Sequence, residues 1–508
     1  MTEFIVKRTS KPTERHRARA LSARWLILAG LVSLGACAPH GAQIPPSGIA
    51  APKNADVVPA RAPKTTGLQT AASAQQQQLI AKFGGRYDWP PAERYLNSIL
   101  KRLATASAKP SQVYRVTLLD SPIVNAFALP SGDLYATRGL LALANDSSEV
   151  AAVMAHEIAH VTSHHAAKRE ELKRDDVLFQ RVAAHFEGPQ KAAEVKARSQ
   201  LAFASFSRQQ EFQADRIGVR TIAEAGYDPY GAARFLDALE RSAALKASLL
   251  GQRAGDEQPD LLSMHPTTPE RIARAVAQAR QFGAPGLGKR GRSAYLASID
   301  GMMFGDDPAD GMVLGRRFVH PTLGFSFTAP RGFVLDNYSS AVLGVAQNGA
   351  EVLRLDKVNA PADEALDAYV TKVWMAGQTL AQTRSTTING LPAVTADASG
   401  EGWTYRLAAI RLKAAVYRII FATRTMAPQI ESKFARSIAS FSPLTAQQAD
   451  AVRPLRLRVV RAAKGDTAAS LAARMALTDR ALDFFLLLNG MKADAQVQPG
   501  RTYKIVTY

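Results

Sequence analysis

The chain holds a single cysteine, Cys37, among 508 residues. No internal disulfide can form, and thiolate-rich zinc or iron–sulfur sites are excluded with it. Nucleic-acid signatures are missing too: no zinc-finger, ribonucleoprotein-sheet or P-loop pattern occurs. Aromatic residues make up only 7% and no internal repeat is visible, yet 47% of the residues are apolar, enough for conventional cores. A chain of this length suggests three or four folded units at about 100–200 residues each.

What is abundant is positive charge, 63 Lys plus Arg against 44 Asp plus Glu, for a net +19. Seven of these cations lie between Lys7 and Arg24, ahead of the uncharged stretch Trp25 to Ala36. That stretch falls short of the roughly 20 apolar residues of a membrane-crossing helix, so residues 1–36 read as a signal peptide. Removing them leaves +14. Such a charge suits an anionic cell-envelope surface, and export separates the chain from nucleic acid. Leu34-Gly35-Ala36-Cys37 resembles a bacterial lipobox, which implies acylation of Cys37, a lipid anchor and a periplasmic protein. Ala38 in the next position leans towards the outer membrane by the same analogy.

The fold class read from the pattern is α+β and multidomain. Residues 37–78, rich in Ala, Pro, Gly and Gln, read as a flexible tether. Residues 79–280 alternate helical patterns with a strand near Val113 to Leu119, and 281–316, crowded with Gly, Pro and basic residues at their start, read as a linker. Over 317–445 short β runs at Phe325–Phe327, Val352–Leu355, Trp403–Leu412 and Val416–Phe421 surround a helix that aligns Leu366, Val370, Val373 and Trp374. Residues 455–508 form a last unit. The charged stretch from Lys168 to Lys196 reads as a solvated helical insertion.

The chemistry concentrates in Asn145 to His165. Asp146 or Ser147 can cap a helix that carries His156-Glu157-Ile158-Ala159-His160, with both imidazoles on one face and Glu157 beside them. A His-Glu-x-x-His arises by chance in roughly one chain in a hundred of this composition, so a further ligand is needed to decide. Catalytic zinc takes three protein ligands and an open position. Ser207 to Gly226 supplies a second helix with Glu211 and Asp215 on a shared face: Glu211 can complete a two-His, one-carboxylate site, and Asp215 can accept the outer N–H of a ligand histidine. Nitrogen and oxygen donors suit Zn2+. Asn125, Ala126, Phe127 and Ala128 begin an apolar stretch ending in the turn Ser131-Gly132-Asp133, an edge strand along which an extended substrate could pair, with core packing an equal role for Phe127. His164 and His165 read as helix-face residues.

The ordered motifs NAFALPSGDLYATRGLL (Asn125 to Leu141), HEIAH, EFQAD (Glu211 to Asp215) and HPTTPERIARA (His265 to Ala275) resemble the HtpX-like zinc metallopeptidases, and among them the exported BepA-like branch. The resemblance covers roughly residues 80–280. It implies a mainly helical zincin-like domain with a small sheet, one zinc held by His156, His160 and Glu211, Glu157 as general base and Asp215 behind the ligands. It nominates His265 and Arg271 for the oxyanion, with His265 alternatively a plug on the metal. Unfolded or misassembled envelope proteins are the implied substrates. Residues 456–506, through Lys464-Gly465-Asp466-Thr467, Leu488-Asn489-Gly490 and Gln498-Pro499-Gly500, resemble a LysM module, a βααβ unit that implies peptidoglycan as a partner, although Ala468 departs from the pattern. Residues 317–445 resemble a PsbP/Mog1-type α+β sandwich.

Overall fold

A computed structural model describes residues 74–171, 189–250, 265, 268–338, 340–346, 349–361, 363–477 and 480–508. The expected signal segment, Cys37, most of the tether and the centre of the charged stretch after Lys168 lie outside the described residues. The first described element starts at Ala74, inside the expected tether and ahead of Leu79. Helix α1 (Ala74–Lys82) takes in the end of the expected tether, because its Gln and Ala residues are competent helix formers and Leu79 and Ile80 pack on Phe83, Leu119, Phe127 and Tyr135.

Helix α2 (Pro90–Ala106) opens with proline and buries Leu96, Ile99, Leu100 and Leu103 along one stripe. Three strands follow, β1 (Arg115–Leu119), β2 (Ala126–Ala128) and β3 (Asp133–Thr137). The sheet order is β1-β3-β2, with β1 parallel and β2 antiparallel to β3, which leaves β2 at an edge. Helix α3 (Arg138–Leu143) leads into α4 (Ser147–Thr162), whose first amides, Ser148 N–H and Glu149 N–H, donate to the Asp146 carboxylate. Arg234 and Arg290 also hold that carboxylate. Helix α5 (Pro189–Glu224) is followed by Gly226, in the left-handed conformation at φ 81°. Helices α6 (Gly231–Leu250) and α7 (Pro269–Arg280) complete this layer, α7 being capped by Thr268.

Residues 281–316 do not behave as a linker. They contain helix α8 (Arg292–Ile299) and strand β4 (Met303–Phe304), and Tyr295, Leu296, Ile299 and Met302 are buried in the same cluster as the α2 and α4 side chains. Gly and Pro near the start of the segment punctuate the chain, but the apolar residues after them fold back.

The central region is an α+β unit packed on both faces of one large sheet. Its larger sheet has seven antiparallel strands: β8 (Phe333–Asn337), β9 (Ala341–Ala346), β10 (Glu351–Asn359), β11 (Leu380–Ile388), β12 (Leu391–Gly400), β13 (Trp403–Leu412) and β14 (Ala415–Thr423), in the order β11-β12-β13-β14-β10-β9-β8. A smaller sheet contains β5 (Met312–Leu314), β6 (Arg317–His320), β7 (Phe325–Thr328) and the two-residue β15 (Ser442–Pro443). Phe325, Phe327, Leu353, Ile419, Phe421 and Phe434 share one core cluster. In a second cluster, Tyr369, Val370 and Trp374 of the short helical segment 366–374 pack on the large sheet.

At the carboxyl end, β16 (Leu455–Arg461), two helices (Ala468–Ala472 and Ala481–Leu488) and β17 (Thr502–Thr507) follow in βααβ order. This unit does not stand apart. β16 pairs with β4, and Leu457, Leu471, Phe485, Tyr503 and Ile505 belong to the cluster that contains α2 and α4. The Lys504 ammonium donates to the carbonyls of Ala142, Leu143 and Ala144 at 2.7, 3.3 and 2.6 Å, just ahead of α4.

Candidate metal centre

Helix α4 is buried from Ser147 to His160. One turn apart on it, His156 and His160 direct their Nε2 atoms to a common point, 3.0 Å from each other. Across from them α5 brings Glu211, whose Oε2 lies 3.3 Å from His156 Nε2 and whose Oε1 lies 3.5 Å from His160 Nε2. One turn further along α5, Asp215 Oδ1 accepts from His156 Nδ1 at 3.0 Å. Gly218 lets the two helices approach, since a Cβ there would stand 3.3 Å from the His156 backbone nitrogen. His265 enters ahead of α7 and places Nδ1 3.0 Å from both Glu211 oxygens and 3.4 Å from His156 Nε2. One donor atom from each of His156, His160, Glu211 and His265 lies within 4.8 Å of the others.

The donor set fits a cation. His156 gives its Nδ1 hydrogen to Asp215, so its Nε2 presents a lone pair to the cluster centre, where carboxylate oxygens and a second imidazole also converge. Lone pairs facing one another at 3 Å repel unless a proton or metal ion lies among them. Imidazole and carboxylate donors, with no thiolate, suit Zn2+, and zinc is the cofactor we assign. Burial opposes a charge on His156, but the carboxylates of Asp215 and Glu211 outweigh it and push its pKa up to about 10. Burial likewise works against the Glu211 charge, yet hydrogen bonds from His156 and His265 hold this carboxyl far below the usual range.

Glu157 Oε1 is buried, has no hydrogen-bond donor among the described residues, and faces His265 Nε2 at 3.6 Å. Burial pushes the Glu157 pKa up, against the pull of His265 and His156. Beside it opens a recess of about 420 Å³ whose apolar wall is Val153, Ala232, Phe235, Leu236 and Leu239.

Other residues singled out in the sequence fall in place around this centre or away from it. Arg271 makes a fork on Asp215, with Nε and Nη2 at 2.7 Å, and its Nη1 lies 3.2 Å from Glu211 Oε2. The guanidinium is thus shared by two carboxylates of the site. Asn125 and Ala126 are buried, and β2 is the expected edge strand with Ala128 only half-buried. The Phe127 ring packs on Phe83 and stacks on Tyr135 at 4.8 Å, so of its two roles the side chain takes core packing.

His165 opens a further helical turn after the break at 163–164, but the face it lies on is turned inward. It is wholly buried, its Nδ1 is 2.9 Å from His160 Nδ1, and its Nε2 is 3.2 Å from Gln213 Oε1. Helical spacing gave no signal for this contact. The helix ends at Thr162, and His164 takes a left-handed conformation at φ 56°, which turns the next side chain back onto His160.

Comparison with known proteins converges on the same segment. The model of peptidase family M48 matches residues 90–279. The beta-barrel assembly-enhancing protease of Escherichia coli (strain K12) is 28% identical over 218 residues, 41% of this chain and 43% of that protein. The mitochondrial metalloendopeptidase OMA1 of Arabidopsis thaliana is 31% identical over 216 residues, 42% of this chain and 41% of its own length. The chain therefore spans less than half the length of these two relatives.

Proposed function

We propose that this protein is a zinc-dependent endopeptidase acting on misfolded or misassembled cell-envelope proteins, a reading supported by the match of residues 90–279 to the peptidase family M48 model and by the similarity to the beta-barrel assembly-enhancing protease. The observation that carries this reading is the convergence of His156, His160 and Glu211 beside the buried carboxylate of Glu157. His156, His160 and Glu211 would hold the ion. When bound, zinc supplies Lewis acidity that acidifies water and polarises a peptide carbonyl.

The chain's own groups do the rest. Glu157 Oε1 takes the proton of the attacking water and returns it to the leaving amine, a task suited to a carboxyl whose pKa burial has raised. Asp215 fixes the tautomer and the plane of His156, and Arg271 keeps Asp215 and Glu211 charged and in place. The β2 edge accepts substrate as an added strand through the outward backbone groups of Ala126 and Ala128, those of Asn125 being bonded to Thr137, which favours extended segments of varied sequence. The apolar recess takes a side chain next to the cleaved bond.

In the same reading residues 1–36 are a signal peptide, Cys37 carries the lipid anchor, the protein sits in the periplasm at the outer membrane, and the βααβ unit binds peptidoglycan. Among the described residues no helix is long and apolar enough to cross a membrane.

A second reading is favoured by His265, which reaches both Glu211 and Glu157 and so occupies the face that a substrate carbonyl must use. In it the protein is an envelope assembly factor with a plugged peptidase centre. Metal analysis together with cleavage of an unfolded protein substrate separates the two. About one zinc per chain, with cleavage abolished in Glu157→Gln, supports the peptidase; zinc without cleavage and an unchanged envelope phenotype in that variant supports the plugged factor.

A further inference from the structure

The central unit contains a second built recess, between its two sheets and remote in sequence from the metal centre. It spans about 360 Å³ of space continuous with solvent, with Phe318, Phe325 and Leu355 as apolar wall. Three hydrogen-bond donors of this wall, on His320, Tyr417 and Lys357, have no hydrogen-bonding or ionic partner among the described residues, and the Oδ1 of Asp310 is buried on the same wall. His320 is 1% exposed, and its Nδ1 accepts from the Leu323 amide. The hydrogen of the neutral ring therefore resides on Nε2, which is buried and unbonded. A buried donor left without an acceptor is costly, so an acceptor belongs beside it.

Tyr417 and Lys357 are direct cross-strand partners on β14 and β10. Strand alternation puts both on the sheet face of Leu355 and Ile419, the face turned to the smaller sheet, and both line the recess. Tyr417 packs at 4.7 Å from the Phe325 ring, and burial alone pushes its hydroxyl pKa up to about 12. Lys357 is close enough to help depress the pKa of His320. Two carboxylate residues also border the recess. Asp356 is neutralised by Arg418, at 2.6 and 3.0 Å, and by Arg354 at 2.8 Å. Asp310 gives its backbone carbonyl to Asn337 Nδ2.

Three hydrogen-bond donors, one of them cationic, around an aromatic wall describe an acceptor that is anionic at one end and apolar at the other. We propose that this recess binds a carboxylate carried on an apolar body the size of one amino-acid side chain, with His320 Nε2–H, Tyr417 O–H and the Lys357 ammonium donating to the carboxylate. The ligand is either a free small acid or the carboxyl-terminal residue of a polypeptide.

Calorimetric titration of the full chain carrying Glu157→Gln, which keeps peptides intact, tests this. The probes are 3-phenylpropanoate, its amide, and a tetrapeptide ending in phenylalanine with a free or an amidated terminus. The acid should bind at least about tenfold more tightly than the amide. Lys357→Gln and Tyr417→Phe should each weaken it about fivefold or more at an unchanged melting temperature, Lys357 being only half-buried. Tighter binding of the free-terminus tetrapeptide than of phenylpropanoate identifies a chain end as ligand; binding of the small acid alone identifies a free acid; both support the site. Equal affinity for acid and amide, no heat with any probe, or indifference to Lys357→Gln overturns it.

Discussion

His165 Nδ1 lies 2.9 Å from His160 Nδ1, with His165 Nε2 in turn 3.2 Å from Gln213 Oε1. One hydrogen must lie between the two Nδ1 atoms. If His160 donates it, the His160 Nε2 lone pair faces the metal cluster, and His165 passes its own Nε2–H to Gln213. His165 thus does for His160 what Asp215 does for His156. Substituting His165 by Phe should lower zinc affinity about 10–100-fold while leaving the fold intact, and Asp215→Asn should do the same. Competition with a chromogenic chelator reads this directly; wild-type affinity in His165→Phe would refute the role.

Removal of the His265 imidazole distinguishes gate from assistant. Opening a site that is closed most of the time should raise turnover of an unfolded protein substrate by about 2–10-fold in His265→Ala. A drop towards background would instead assign His265 to the reaction.

Acid should loosen the central unit through His320. Burial, with the field of Lys357, lowers its pKa to about 4. The folded ring stays neutral while the unfolded one takes up a proton near its ordinary 6.5, so stability present above that value is lost as pH falls from about 6.5 to about 4. The loss is on the order of 3 kcal/mol. Fluorescence of Trp374 and Trp403 during urea unfolding at pH 7 and pH 5 should reveal it, and His320→Gln should flatten the dependence.

Lys504 joins the last strand to the start of the active-site helix. Its three carbonyl acceptors use all three N–H donors of the protonated amine, although burial pulls its pKa well below the usual lysine range. Lys504→Met should cost about 2–4 kcal/mol by taking the ammonium donor from the Ala142 and Ala144 carbonyls, the Leu143 carbonyl keeping the donor Asn145 Nδ2. Removing residues 455–508 should abolish peptidase activity, because the cut opens the shared core. Full activity in the truncated chain would show the unit to be detachable.

The sequence by itself determined whatever depends on local periodicity. Helical spacing set His156 beside His160 and Glu211 beside Asp215, and alternation marked β10, β13 and β14 of the central sheet. Residue type narrowed the cap of that helix to Asp146 or Ser147, and the structure uses Asp146. Tertiary structure decided what no period encodes. It folded 292–304 and the carboxyl-terminal unit into the peptidase core, because apolar residues on both sides of Gly- and Pro-rich punctuation bury one another. It also brought His265, 109 residues from His156, to within 3.4 Å of it, and turned His165 onto His160 through a single left-handed residue. Such contacts arise from long-range packing and from one backbone angle, and neither leaves a pattern in the residues nearby.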